Sequence, residues 1–342
     1  MRKNRRISQS APIVENSASH TGSAPLADSI KARHLQRPLK IGIDLMGNDN
    51  DPRTLLSALR ALALPKEVTL LAVGTPEFAD ASSFLEYIAT AEVIEMDEHP
   101  LVALRKKRRA TIPVGMRLLK EKAIDAFVSA GNTGALVSSA KMILGNLPGI
   151  YRPALLALMP TKKNPVAVLD VGANLQARAV QLVQFAKLGI AFQKTRGIQN
   201  PAIGLLNIGS EALKGTSELR LAYHELQRDK SIHFAGNIEG KTVFDGDVSV
   251  LVTDGFTGNV FLKTAEGIAS LMLDRLEVPS SEMKKFELLH YSEYPGAVLA
   301  GIQGIAIKCH GYSTPSAFTN AVMGAVRLAK EGFVQKLMNE LS

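Results

Sequence analysis

The sequence predicts an α/β protein organised on a mostly parallel sheet, and two observations carry that prediction. Apolar runs of strand length alternate with helical patterns of about ten to fifteen residues along the 342-residue chain, the spacing of β-α units. Six of those runs also end in a polar, glycine-bearing corner, as strands of an open α/β sheet do where they meet a ligand. The central corner is Ser129 to Leu136, SAGNTGAL, which follows the run DAFV (Asp125 to Val128). Thr133 reads as the N-cap of the helix behind it. Gly131 and Gly134 permit close backbone approach, while Asn132 and Thr133 set short polar groups beside the unpaired N–H donors of a helix start. Such a corner suits an anion. The plainer reading is a well-made α/β connection with no ligand.

The other corners are Asp44 to Asp49 (with Gly47), Asp170 to Asn174, Asn207 to Gly209, Asp254 to Asn259 (with Gly258) and Lys308 to Gly311. In a parallel sheet all carboxyl ends share one edge, so the six are expected to converge on one crevice.

In chain order, strands are expected at Leu39–Ile43, Val68–Val73, Ala91–Glu95, Asp125–Val128, Pro153–Met159, Val166–Val171, Ala202–Leu206, Ile232–Ala235 and Val248–Val252, with GIAI before Lys308 as a further apolar run. Helices are expected at Pro52–Ala63, where the proline suits a first turn, and at Glu77–Ile88, Pro100–Arg109, Pro113–Lys122, Thr133–Leu144, Gln176–Lys187, Glu218–Gln227, Thr257–Leu276, Ser281–Leu289 and Pro315–Leu341.

Composition narrows the class. With 46% hydrophobic and 21% charged residues the chain is that of a soluble globular protein, and its apolar stretches are too short to span a membrane. A single cysteine, Cys309, excludes an internal disulfide and suits a reducing cytosol. Without a spaced Cys/His/Asp cluster no metal site is expected. Eight basic and two acidic residues in the first forty carry +6 of the net +8. Residues 1–38 therefore read as a disordered basic tail rather than a secretory signal, with a composition that also resembles an organelle transit peptide. The tail has no interleaved aromatic residue, so nucleic acid is not an expected partner.

Among residues that could carry chemistry, Lys214 follows the Asn207 corner and would bring an ammonium to a phosphate or oxyanion if its strand ends beside the SAGNTG turn. Asn259 offers an amide donor at another corner. Cys309 reads as packing and His310 as a crevice residue. Asp44, Asp170 and Asp254 stand at strand ends, each able to bond its own glycine turn, so orienting roles are favoured over a metal. The run Arg105, Lys106, Lys107, Arg108, Arg109 is either a solvated helix end or a docking patch for an acidic partner. No GxGxxG or Walker motif is present, which weakens a dinucleotide or nucleotide reading.

In this order, the stretches IGIDLMGND, DAFVSAGNTGALVSSAKMILGNLPGIYRPAL, AVLDVGAN, IGLLNIGSEALKG, FAGNIEG (with Asn237), FDGDVSVLVTDGFTGNVFLKTAEG and IKCHGYS resemble the bacterial phosphate acyltransferase family of PlsX type, over the chain from about Leu39 onward. The resemblance implies a Rossmann-like three-layer α/β/α sandwich, a homodimer, and no cofactor. It also implies transfer of a fatty acyl group from acyl carrier protein to inorganic phosphate, the acyl phosphate passing to a membrane glycerol-phosphate acyltransferase.

The family's proposed catalytic lysine and asparagine fall on Lys214 and Asn259, with His310 a candidate proton donor. Gly131 to Gly134, Asp44, Gly47, Asn174, Asn237, Asp254 and Gly258 are the expected substrate-binding positions, and the basic run the docking site for the acidic carrier. The chain departs from the family at Gly47-Asn48, at RRATI (Arg108 to Ile112) in place of Asp-Ser-Ser, at Pro295 to Val298, and in a shorter segment from Ile268 to His290. That last departure implies peripheral membrane contact weaker than the family's, in a protein expected in the cytoplasm with peripheral membrane contact as an open alternative. The competing expectations are a non-catalytic anion-binding module of this fold and a dehydrogenase of the related fold.

Overall fold

The computed structural model describes residues 37–275 and 296–342. The expected basic tail, apart from Arg37 and Pro38, and the expected helix Ser281–Leu289 lie outside the described residues.

Eleven strands form one sheet: β1 (Leu39–Asp44), β2 (Val68–Gly74), β3 (Glu86–Ala89), β4 (Ala126–Ser129), β5 (Ala154–Met159), β6 (Val166–Leu169), β7 (Ile203–Asn207), β8 (Phe234–Glu239), β9 (Val250–Val252), β10 (Ala297–Ala300) and β11 (Ala306–Lys308). Their spatial order is β3-β2-β1-β4-β11-β10-β5-β6-β9-β7-β8. The central strands are buried on both faces, which is why they read as unbroken apolar runs instead of alternating ones.

Around the sheet lie α1 (Pro52–Ala61), α2 (Pro100–Lys106), α3 (Thr111–Lys120), α4 (Thr133–Ile143), α5 (Ala179–Thr195), α6 (Ser217–Arg228), α7 (Gly255–Arg275), α8 (Pro315–Lys330) and α9 (Phe333–Leu341). One apolar core joins the sheet to residues of α1, α5, α6, α8 and α9. The other joins it to residues of α2, α3, α4 and α7. The architecture is thus the expected α/β/α sandwich.

Strand direction differs from the expectation. The blocks β3-β2-β1-β4-β11 and β6-β9-β7-β8 are each parallel, but β11–β10, β10–β5 and β5–β6 pair antiparallel. Three reversals leave the two blocks pointing opposite ways. The carboxyl ends of β1, β4 and β11 therefore leave from one edge of the sheet, and those of β6, β9, β7 and β8 from the other. The six corners form two groups, not one.

Local differences have local causes. The expected helix over Glu77–Ile88 is two 3-10 turns, Pro76–Phe78 and Asp80–Ser82, followed by β3 on the edge beside β2. Asp80, Ser82 and Ser83 compete for backbone bonds and favour turns. Residues 91–95 pair with no strand, although Ile94 is buried in the core. The closing helix breaks at Gly332, which takes the left-handed conformation (φ 63°) between α8 and α9. The run AVLA between Gly296 and Gly301 is a strand, β10, that the sequence reading did not anticipate.

Candidate active site

The first group of corners is built on a buried carboxylate. Asp44 accepts hydrogen bonds from Ser129 Oγ at 2.7 Å and from the Met46 N–H at 3.1 Å. Burial pushes its carboxyl pKa up to about 6 against those bonds and one from Thr111. Ser129 Oγ in turn accepts the Gly131 N–H at 3.0 Å. The helix N-cap is Asn132 rather than Thr133: its Oδ1 accepts the Ala135 N–H at 3.0 Å, and its Nδ2 donates to the carbonyls of Glu95, Met96 and Glu98. The Gly131 and Ala135 N–H groups are engaged, and among the described residues no hydrogen bond is made by the N–H groups of 132–134. Gly47, at φ 76°, lies so close to Gly131 that a Cβ there would sit 2.5 Å from the Gly131 Cα.

Beneath this turn lies a residue that sequence reasoning placed at a corner but gave no role. Lys308 is 8% exposed, and its ammonium donates to the carbonyl of Ala130 at 3.0 Å and to that of Cys309. Burial pushes its pKa down to about 8, while the charges of Asp44 and Asp49 pull it up and that of Lys263 pushes it further down. A lysine ending a strand is ordinarily exposed. The available signal was its place as the last residue of an otherwise fully apolar strand. Burial lifts the Cys309 thiol to about 12, in keeping with a packing role. His310 Nε2 stands 3.4 Å from Glu266 Oε1 on α7, and Tyr312 Oη donates to Glu266 Oε2 at 3.2 Å.

The second group is organised by Asp170, whose two oxygens accept the N–H groups of Leu155, Gly172, Ala173 and Asn174 and the Asn174 amide. Burial raises its carboxyl pKa against these bonds. Asn174 also donates to the Pro153 carbonyl, and its own carbonyl accepts the Gly255 N–H. Asp254 Oδ1 accepts the Thr257 N–H at 2.8 Å, and Gly258 packs on the Asp170 carbonyl. Asn259 lies against Gly172. On the neighbouring strand β7, Asn207 donates to the Lys214 carbonyl, and Asn237 within β8 donates to that of Glu211. The Lys214 side chain is 49% exposed, with Glu211 3.8 Å from its ammonium. Leu175, Ile208, Leu213, Phe256 and Val260, each at least half exposed, adjoin these polar residues.

The fold thus places Lys214, in the loop after β7, on the same edge as Asn259, in the helix after the neighbouring strand β9, and separates it from Gly131 to Gly134. Strands β4 and β7 stand six places apart, roughly 29 Å at a spacing of about 4.8 Å. The expectation that Lys214 points into the SAGNTG crevice fails because the sheet reverses between them. Helix α7 links the two edges: it opens beside Asn174 and presents Glu266 to His310. Asn259 and Glu266 are seven residues apart, about 10 Å along the axis.

The basic run also differs from a uniform patch. Arg105, Lys106, Arg108 and Arg109 are exposed, but Lys107 folds back to the Val93 carbonyl and to Glu98, each at 2.7 Å. Helix α2, which ends in this run, begins with Pro100 packed on Gly134. Among the described residues no group of three His, Cys, Asp or Glu is placed to hold a metal, and no helix is long and apolar enough to cross a membrane.

The family model described as fatty acid synthesis protein matches residues 39–336. Phosphate acyltransferases from Desulforamulus reducens and Heliobacterium modesticaldum are 37% and 39% identical to this chain, over 89% and 88% of it and 97% and 96% of their own lengths. The chain belongs to the phosphate acyltransferase family. It is an acyltransferase. Solved structures similar in fold include the EutD phosphotransacetylase of Staphylococcus aureus (TM-score 0.57, 15% identity) and a phosphotransacetylase of Streptococcus pyogenes (TM-score 0.57, 17% identity), covering 90% of this chain and 100% of each. The phosphate acyltransferase fold here carries two polar edges. One is a helix-start corner above a buried ammonium; the other is a lysine and an amide beside exposed apolar side chains.

Proposed function

We propose that this acyltransferase moves a fatty acyl group from acyl carrier protein to inorganic phosphate, releasing acyl phosphate and the carrier thiol. The observation that carries the reading is that Lys214 and Asn259 follow the neighbouring strands β7 and β9 on one edge of the sheet, Asn259 against the turn bonded by Asp170, in a chain of this family. Phosphate is largely dianionic near neutrality, so the reaction needs positioning and charge stabilisation more than a base. A phosphate oxygen attacks the thioester carbonyl carbon, the C–O bond forms, and the C–S bond breaks with its electron pair leaving on sulfur. Lys214 offsets phosphate charge, and the Asn259 amide donates to the oxyanion of the tetrahedral intermediate. The exposed apolar side chains around them receive the start of the acyl chain.

The carrier docks on Arg105, Lys106, Arg108 and Arg109, whose charge suits an acidic protein. His310 belongs to donor binding on the other edge, since a thiolate takes its proton readily from water. The working form is a cytosolic homodimer, and its acyl phosphate is handed to a membrane glycerol-phosphate acyltransferase. Incubating the purified protein with acyl carrier thioester and labelled phosphate tests the reading: labelled acyl phosphate is expected. A folded protein that yields none is a binding module and not this enzyme.

A further inference from the structure

Lys214 stands in a segment that owes little to burial. It belongs to residues 208–216, between β7 and α6, where the large apolar side chains Ile208 and Leu213 are 82% and 78% exposed. Loop backbone with neither a ladder nor an apolar anchor shifts easily. At a group that stabilises charge, a shift of about 1 Å can cost on the order of 100-fold in rate.

Three side chains from three elements reach the carbonyls of this segment. From β8, Asn237 Nδ2 donates to the Glu211 carbonyl at 2.8 Å, an oxygen that also accepts the Lys214 N–H at 3.1 Å. From the end of β7, Asn207 Nδ2 donates to the Lys214 carbonyl at 3.1 Å. Gly215, at φ 85°, lies so close to that amide that a Cβ there would meet its Oδ1 at 2.6 Å. From α6, Arg220 Nη1 donates to the Gly215 carbonyl at 2.6 Å. Held in this way, the Lys214 stem lies over Gly209, where a Cβ would sit 3.2 Å from its Cγ and 3.5 Å from its Cε. The stem therefore runs beside the corner that ends β7.

Arg220 stands out among the three. It is the fourth residue of α6, where a cation works against the helix dipole, and the N-cap is already supplied by Thr216, whose hydroxyl accepts the Leu219 N–H at 3.3 Å. The guanidinium instead reaches back past the cap to a carbonyl outside the helix, with the strength of a charged donor. Buried Ala222 and Leu226 seat α6 in the apolar core, so this bond ties the residue next to Lys214 to a packed helix.

We infer that Arg220 is a positioning residue for Lys214: its bond to the Gly215 carbonyl, with those of Asn207 and Asn237, fixes the backbone from which the Lys214 ammonium meets the phosphate. The inference rests on the proposed reaction.

The test uses the full chain with acyl carrier thioester and inorganic phosphate. Arg220→Met keeps the stem at a half-buried helix position and removes the donors; it is expected to lower kcat about tenfold or more, with the KM for the thioester unchanged. Arg220→Lys is expected to recover most of that loss, because the contact is one N–H on one carbonyl and not a paired fork. In a Lys214→Ala background Arg220→Met is expected to lower kcat no further, since no ammonium is left to place. Amide hydrogen exchange over 208–216 is expected to be faster in Arg220→Met than in the wild type. Should Arg220→Met fail to fold, Arg220→Gln, too short to reach the carbonyl, carries the same expectations. A folded variant with wild-type kcat, losses that multiply in the double variant, a lysine variant no better than the methionine one, or unchanged exchange over 208–216 each overturns the inference and leaves the reaction standing. Absence of acyl phosphate with the wild type removes the reaction, and the inference with it.

Discussion

Asp44 and Lys308 are two opposite charges buried under one turn, and burial moves each pKa toward neutrality. For Asp44 the folded pKa, about 6, stands above its ordinary value of 3.8. Between those values the folded chain keeps a proton that the unfolded chain has released, so this group's contribution to stability falls as pH rises through the window. Asp44→Asn is expected to remove that slope. Unfolding free energies of wild type and variant at pH 4 and pH 6.5 should diverge by no more than about 3 kcal/mol, with the wild type losing ground at the higher pH. Parallel curves would mean that the carboxyl is not held protonated by burial. Single residues were unevenly legible. Asp170 reads from sequence as a turn-bonding carboxylate, since it precedes a glycine turn at a strand end, and its bonds to 172–174 are of that kind. Lys308 does not, because the contacts that justify burying it come from Ala130 and Asp44, far away in sequence.

Element boundaries followed the apolar period wherever packing and propensity agreed. Helix α3 illustrates the agreement and its limit. Its apolar face (Ile112, Met116, Leu119) is plain in the sequence, but the reason for Gly115 is not. A Cβ there would lie 2.1 Å from the Phe127 ring of β4, so the glycine sets how closely the helix approaches the central strand. Gly115→Ala is expected to cost about 1–3 kcal/mol through overpacking, read as a lowered Tm. An unchanged Tm would show that Phe127 swings aside freely. The stretch 77–88 was misread for a related reason: with four residues of β3 completing an edge, pairing to β2 outweighs a weak helical pattern.

At the scale of the molecule the sequence carries the layers but not the strand directions. Every corner looks alike in the sequence whichever way its strand runs, and the reversal is produced at the middle of the sheet by β10, an apolar run of four residues, and by β5 and β6. That reversal turns one expected crevice into two edges joined by α7, and it parts Lys214 from the SAGNTG turn. The division of labour we propose is the central claim: charge stabilisation at the Lys214–Asn259 edge, donor binding at the other. Steady-state kinetics of Lys214→Ala, varying phosphate and acyl carrier thioester in turn, tests it most directly. The expected result is turnover lowered by about 100-fold with the KM for the thioester unchanged; an unaltered turnover, or a loss confined to thioester binding, would contradict it.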